Sequence, residues 1–331
     1  MKLPTPLTSV LTKTSAVLLT CGLIFSVTAQ AQSKWPDKTV RMIVPAPPGS
    51  APDGQVRLIG QKLSETWSQP VVIENVVGAA GNIGTDRVAK AAPDGYTFLY
   101  NTIGPIAVNP TLMAGKMPYD VEKDLIPVSL ATKTPNFITV HPSVPANNMQ
   151  ELIALAKTKP GVLNYGSSGT GGVSHLAGEL FDADHLIKMT HVPYKGTAEA
   201  GAALLGGQID FAFVDNTIRA LMKAGKIRAL AVTSGKRWQV LPDVPTLQES
   251  IGMSGASTRN YYLLPAGAPM PLVNQINAAI VKALRSTDLE EKVTANGYVI
   301  VASSPEEGAR YYQAEYQAYE KVVKDIGLKI E

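Results

Sequence analysis

Residues 165–181 read Tyr-Gly-Ser-Ser-Gly-Thr-Gly-Gly-Val-Ser-His-Leu-Ala-Gly-Glu-Leu-Phe. A short β-type run, Leu163 to Gly166, ends in a loop of glycines and hydroxyls. The chain then shows a helical period, with Val173, Leu176, Ala177, Leu180 and Phe181 recurring at i, i+3, i+4, i+7 and i+8. A strand, a small polar loop and a helix in that order form the unit from which α/β proteins are built. Such loops sit at the edge of an open sheet where ligands bind, beside the unpaired N–H groups and positive dipole end of a helix. Ser167, Ser168, Gly169, Thr170 and Gly171 leave room for a carboxylate to approach backbone donors and hydroxyls.

The same unit recurs along the chain. Thr39 to Ala46 runs into Pro47-Pro48-Gly49-Ser50-Ala51-Pro52 and a helix expected to open on Asp53 as N-cap, with Val56, Ile59, Leu63 and Trp67 on one face. Tyr96 to Tyr100 leads to Asn101-Thr102-Ile103-Gly104 and a helix through Leu112. Thr190 to Tyr194 leads to Lys195-Gly196-Thr197, and Ile209 to Val214 leads to Asp215-Asn216-Thr217. The pattern predicts mainly parallel sheets. Beyond Val232 a rigid connector, Leu241 to Thr246, precedes a strand at Tyr261 to Leu264. The end is helical, over Pro271 to Arg285 and Glu306 to Lys324, and the tyrosines 311, 312, 316 and 319 are read as packing.

At the N-terminus, Lys2 and Lys13 precede an apolar run, Ala16 to Val27, too short to span a bilayer. Ala29-Gln30-Ala31 follows, so a secretory signal peptide cut after Ala31 is expected. Cys21, the single cysteine, would leave with it, and export without disulfides fits a bacterial periplasm. Removing that segment leaves 28 basic against 27 acidic residues, which argues against a binder of nucleic acid or membrane surfaces. The remaining length favours two domains.

No catalytic set assembles from the motifs. Ser167, Ser168 and His175 invite a serine hydrolase, with Ser168 and His175 as the working pair, but Gly166-Ser167-Ser168-Gly169-Thr170 misses the G-x-S-x-G spacing. His175, one turn into its helix, is expected to hydrogen-bond a neighbouring loop. Gly169 to Ser174 is one residue off a dinucleotide fingerprint and lacks the acid about twenty residues on. His141, His175, His185 and His191 have no metal-ligand spacing, and His191 reads as a buried or interfacial strand residue. No cofactor and no metal are expected.

Several blocks together carry a family resemblance: Val44 to Ser50, Val72 to Asn75, Gly78 to Gly84, Ala91 to Thr97, Tyr165 to Leu180, His191 to Gly196, Leu205 to Gln208 and Leu241 to Thr246. In order and across nearly the whole mature chain they resemble the tripartite tricarboxylate transporter receptors, also called Bug proteins. The resemblance implies an α/β periplasmic-binding-protein-like fold of type II. This is a two-domain Venus flytrap with two crossover strands, placed near Val128 to Lys133 and Ala231 to Gly235. Residues 32–130 and 235–331 would form one domain and 131–234 the other. It further implies a monomeric periplasmic solute receptor that delivers a small carboxylate to membrane permease subunits. The family grips the carboxylate through two loops, carried here onto Ala46, Pro47, Pro48, Gly49, Ser50 and Asp53, and onto Ser167 to Gly171 with His175. Thr102, Tyr194, Lys195, Asp215 and Asn216 would face the same cleft. The family usually has an aromatic where this chain has Ala46 and a second glycine where it has Ser50. The lost ring suggests a bulkier ligand, an aromatic mono- or dicarboxylate such as terephthalate.

Overall fold

A computed structural model of the chain describes residues 1, 35–253, 257–325 and 327. The signal peptide expected over 1–31, with Lys2, Lys13 and Cys21 and the cut after Ala31, lies outside the described residues apart from Met1. Residues 38–331 form one compact unit.

Its first part runs β1 (Val40–Val44), α1 (Ala51–Trp67), β2 (Val71–Asn75), α2 (Asn82–Ala89) and β3 (Thr97–Thr102). A π-helical turn (Gly104–Val108) then enters α3 (Asn109–Leu112), followed by α4 (Val121–Asp124) and β4 (Leu125–Thr134). Next come β5 (Phe137–Val140), α5 (Met149–Thr158), β6 (Asn164–Ser167), α6 (Val173–His185), β7 (Thr190–Pro193), α7 (Thr197–Leu205) and β8 (Phe211–Val214). A 3₁₀ turn (Asn216–Ile218) leads into α8 (Arg219–Lys223) and β9 (Arg228–Val232). The chain ends with α9 (Leu247–Ile251), β10 (Thr258–Pro265), α10 (Met270–Leu284), α11 (Thr287–Ala295), β11 (Val299–Ile300) and α12 (Pro305–Asp325).

Two sheets result, a six-stranded one ordered β11-β4-β10-β3-β1-β2 and a five-stranded one ordered β7-β6-β8-β5-β9. Their central strands read as continuous apolar runs because both faces are covered: Phe211–Val214 and Phe137–Val140 are buried throughout. Helix α1 buries Val56, Ile59 and Leu63 as its spacing predicts.

The sheets are mixed rather than mainly parallel. Strands reached through helical crossovers pair in parallel (β1 with β2 and β3, β6 with β7 and β8), because a crossover helix carries the chain back to start the next strand at the same end. Strands β4, β5, β9, β10 and β11 adjoin passages between the sheets or follow an end-to-end return, and these pair antiparallel. The chain leaves the six-stranded sheet after Thr134 and enters the other at Phe137. It stays there well past Ala231–Gly235, because Trp238, Leu241, Val244 and Leu247 pack into the five-stranded sheet's clusters. It runs in the six-stranded sheet again from Thr258, where β10 begins. Buried Asn136 ties both passages together: its N–H donates to Thr233 Oγ1 (2.9 Å), its carbonyl accepts the Thr233 N–H (2.8 Å), and its side-chain amide donates to Thr258 Oγ1 (3.2 Å).

The tyrosines of α12 divide by helical geometry. Tyr312 and Tyr319 are buried and Tyr312 donates to Ile106 O (2.9 Å), while Tyr311, about 100° around the helix, is 42% exposed.

Candidate functional site

Both loops singled out in the sequence lie where a strand ends and a helix begins, and each is held by side chains of its own lobe. In the first, the N-cap of α1 is Ser50, not Asp53. Ser50 has extended backbone, and Pro52 fits the first turn because it needs no donor there. Asp53 instead reaches back from the first turn. Its Oδ2 accepts the Gly49 N–H (2.8 Å) and Arg57 Nε (3.0 Å), and its Oδ1 accepts Asn75 Nδ2 (2.8 Å) and pairs with Arg57 Nη2 (2.8 Å). Asn75 also donates to Ala46 O (2.9 Å). Burial pushes the Asp53 carboxyl up, but the Arg57, Gly49 and Asn75 donors outweigh it and hold it below its usual value. Asp53 is 3% exposed with both oxygens occupied, so it shapes the loop. Gly49 sits at φ 78°, where a side chain would be strained. Ser50 spends its hydroxyl on Pro47 O and its N–H on the same carbonyl. Among the described residues, the N–H groups of Ala51 and Asp53 meet no protein acceptor, leaving the positive end of α1 open.

The Ser/Gly loop differs from its sequence reading, which held many backbone donors open. The Ser168 N–H donates to Ser174 Oγ (2.9 Å), Gly169 N–H to Ser167 Oγ (3.1 Å), Gly171 N–H to His175 Nδ1 (3.2 Å) and Gly172 N–H to Gly169 O (3.1 Å). Hydroxyls and an imidazole so close in sequence compete for exactly those groups a ligand would use. Thr170 alone keeps a free N–H in the stretch 168–172, beside its own hydroxyl, among the described residues.

Beneath this loop lies a buried polar stack. Accepting from Gly171 puts the His175 proton on Nε2, 3.6 Å from Glu179. Glu179 also takes the Tyr165 hydroxyl (2.7 Å), and the hydrogen bond from His175 holds its carboxyl below the usual value. The rings of His175 and His191 stack with centroids 4.0 Å apart, and His191 Nε2 lies 2.6 Å from Ser167 Oγ. Burial, then the neighbouring His175, pulls His191 down to about 4, so it is neutral at neutral pH. The sequence reading missed this role. Its one visible signal is the register of β6 with β7, which sets Tyr165 against His191.

The hydrolase pair does not assemble. Ser168 Oγ lies 2.8 Å from Ser174 Oγ, while both nitrogens of His175 are turned to Gly171 and Glu179. The serine that does meet a histidine, Ser167, is fully buried.

The remaining positions surround these loops. Tyr194 donates its N–H to Ser167 O (3.1 Å) and lays its ring over Gly166; the Lys195 side chain is exposed. Asp215 accepts the Thr217 N–H (2.9 Å) and the Thr197 hydroxyl (3.1 Å), and burial raises its pKa. Thr102 ends β3, half-buried. The two lobes touch on both sides of these residues. A Cβ on Gly104 would come 3.5 Å from Gly171 O, and one on Gly171 would collide with Asn109, whose amide is held by Asn82 Oδ1 (2.8 Å). On the other side Arg219 donates to Asn296 (3.0 Å), while within the first lobe the Tyr298 hydroxyl donates to Ala51 O (2.8 Å). Loops of the two sheets therefore meet at Gly104, Asn109 and Gly171 and again at Arg219 and Asn296. A hollow of about 580 Å³ lies elsewhere, along Pro110, Leu112, Tyr316 and Val323.

Residues 55–328 match the family model described as tripartite tricarboxylate transporter family receptor. The chain belongs to this family. Three solved structures show the same fold. The periplasmic binding protein BugD is 29% identical with a TM-score of 0.83, covering 90% of this chain and 100% of its own. Rpa4515 of R. palustris, solved with adipate, is 35% identical with a TM-score of 0.84, covering 89% and 99%. MatC of Rhodopseudomonas palustris, with bound malate, is 31% identical with a TM-score of 0.81, covering 87% and 100%. This receptor is thus a periplasmic-binding-protein-type α/β flytrap, in a family whose solved members include carboxylate complexes.

Proposed function

We propose that this receptor is exported to the periplasm, loses residues 1–31 at Ala31, and works as a monomer. It captures an organic carboxylate between its lobes and presents it to the membrane permease subunits of a tripartite transporter, without catalysis. The second lobe is taken to extend from 137 to about 253, with residues 38–134 and 258–325 as the first and the Asn136 node as hinge. The observation that carries the reading is the distribution of free donors. The 168–172 stretch spends all its N–H groups internally but that of Thr170, and the first loop spends those of Gly49 and Ser50 and leaves those of Ala51 and Asp53, donors read as facing one crevice between the sheets. Donors of that kind suit a carboxylate.

Ala46 in place of a ring, lined by Pro47, Pro48 and Ser50, leaves room for a bulkier acid. The proposed ligand is an aromatic mono- or dicarboxylate such as terephthalate, bordered by Thr102, Tyr194 and Lys195. Adipate and malate in related structures support the carboxylate class. A thermal-shift screen of the mature protein against citrate, C4 to C6 dicarboxylates, aromatic acids and amino acids tests it. Stabilisation by acids with no turnover of aryl esters is expected; ester hydrolysis lost in Ser168→Ala would instead support the hydrolase. Tight binding of succinate or aspartate and of no aromatic acid would reject the bulkier ligand.

A further inference from the structure

The turn that follows α11 ties the second lobe to the start of α1. Its residues, Asn296, Gly297 and Tyr298, belong to the first lobe, because β11 directly after them pairs with β4 in the six-stranded sheet. The second lobe seats the first two. Arg219 Nη2 donates to Asn296 Oδ1 (3.0 Å), and the Trp238 indole lies against Gly297, where a Cβ would run into the ring at Cζ2, Cε2 and Nε1. Trp238 is buried, and its ring centroid is 5.1 Å from that of Phe137, the residue after the Asn136 node, so this seat is built beside the hinge. A small displacement there becomes a larger one at loops farther from the axis. The third residue reaches the proposed grip: buried Tyr298 donates its hydroxyl proton to the carbonyl of Ala51 (2.8 Å), which opens α1. Ala51 and Asp53, in that same first turn, are the residues whose N–H groups are left for a ligand.

We propose that Asn296-Gly297-Tyr298 is a relay: Arg219 and Trp238 of the second lobe seat its first two residues, and Tyr298 is the positioning residue that passes this seating to the first turn of α1. The grip of the first lobe is then complete only while the second lobe is docked on the turn. Because such coupling is reciprocal, an acid held at α1 favours the docked turn by as much as the docked turn favours the acid. This inference rests on the carboxylate-receptor reading and adds to it how one lobe informs the other.

Calorimetry on the mature protein tests it, with terephthalate, adipate, malate and the other acids of the screen above, the tightest serving as titrant. Gly297→Ala drives a methyl into the indole and is expected to weaken binding about tenfold or more. In Trp238→Ala the same methyl finds room, so the double variant is expected to bind within about twofold of Trp238→Ala alone. The backbone strain of an alanine at φ 82° is the same in both backgrounds and cancels from the comparison. Tyr298→Phe breaks the relay with the seat intact: affinity is expected to fall about fivefold through faster dissociation, while the ligand-induced fluorescence change that is lost in Trp238→Phe persists. Should Gly297→Ala fold poorly, Asn296→Ala, which removes only the acceptor of Arg219, is expected to weaken binding about threefold. Losses that multiply in the double variant overturn the relay, as does wild-type affinity in Tyr298→Phe or, where it is used, in Asn296→Ala. These outcomes leave the receptor reading standing; a wild-type protein that binds no acid of the screen takes both down.

Discussion

The two loops proposed to grip the ligand are made rigid by opposite means. The loop at 46–53 is held by a charge pair at the surface: Asp53 is buried, but its partner Arg57 is half-exposed, and the contacts it organises reach only to Gly49, Asn75 and Ala46. The loop at 167–172 is held from inside its lobe by a stack of His175 and His191 over Tyr165, with Glu179 beside it. Both arrangements use side chains to consume backbone donors, so what remains for a ligand is set by subtraction. The difference teaches that the same geometric result has two pH dependences. The first loop keeps its pair down to acid pH, whereas the second depends on His191 staying neutral.

That contrast can be broken most severely at Gly171. Its φ of 79° and the Asn109 side chain packed over it leave no room for a side chain, and Asn109 is held by Asn82. Gly171→Val is expected to cost about 3 kcal/mol of binding or more, a loss of over a hundredfold read by calorimetry. Wild-type affinity would show that the loop is not part of the site.

Next in size is the pH dependence of the second loop. His191 titrates at about 4 folded against 6.5 unfolded. Above pH 6.5 both states are neutral and its contribution is complete. Between 6.5 and 4 the unfolded state takes up the proton first, so stability falls as pH is lowered, by about 3 kcal/mol or less in total, and below 4 this group adds no further loss. Urea titrations across that window should show the slope, and His191→Gln should flatten it. An unchanged slope would remove His191 from the account.

His175→Ala removes the acceptor of the Gly171 N–H and lets the loop relax. A loss of about 1 to 2 kcal/mol in ligand affinity is expected, with secondary structure retained by circular dichroism. Tighter binding would mean that the released donor serves the ligand better than the rigid loop does. The smallest effect belongs to the first loop. Asp53→Asn weakens a pair whose Arg57 partner is half in water, and about 1 kcal/mol of thermal stability should be lost, less at high salt.

Much of the architecture was legible because it follows from local pattern. Alternating strand and helix periods with Gly, Ser or Asx at the junctions gave five strand-to-helix edges, though not the one from β5 to α5, and Val56, Ile59 and Leu63 pointed inward as spaced. Pairing direction was not legible for β4 and β10, since it is set by where the chain leaves the six-stranded sheet after Thr134 and runs in it again from Thr258, and neither point leaves a periodic signal. The loops were found as loops, but the fate of their donors was hidden. Whether Ser168 N–H meets Ser174 or a ligand depends on ångström-scale reach, and the helix start shifted from Asp53 to Ser50 because a carboxylate in the first turn can close a loop as readily as cap a helix. Tyr298 and His191 escaped because their partners are brought together by tertiary folding: Ala51 lies far away in sequence, and Ser167 lies on another strand.

The most direct test of a carboxylate gripped between two pre-shaped loops is a crystal structure of the mature protein with whichever acid gives the largest thermal shift. The account predicts a carboxylate between the two sheets, within hydrogen-bond reach, directly or through one water, of the Thr170 N–H on one side and the Ala51 or Asp53 N–H on the other. An acid seated away from both loops, or held by one lobe alone with the other untouched, would contradict it.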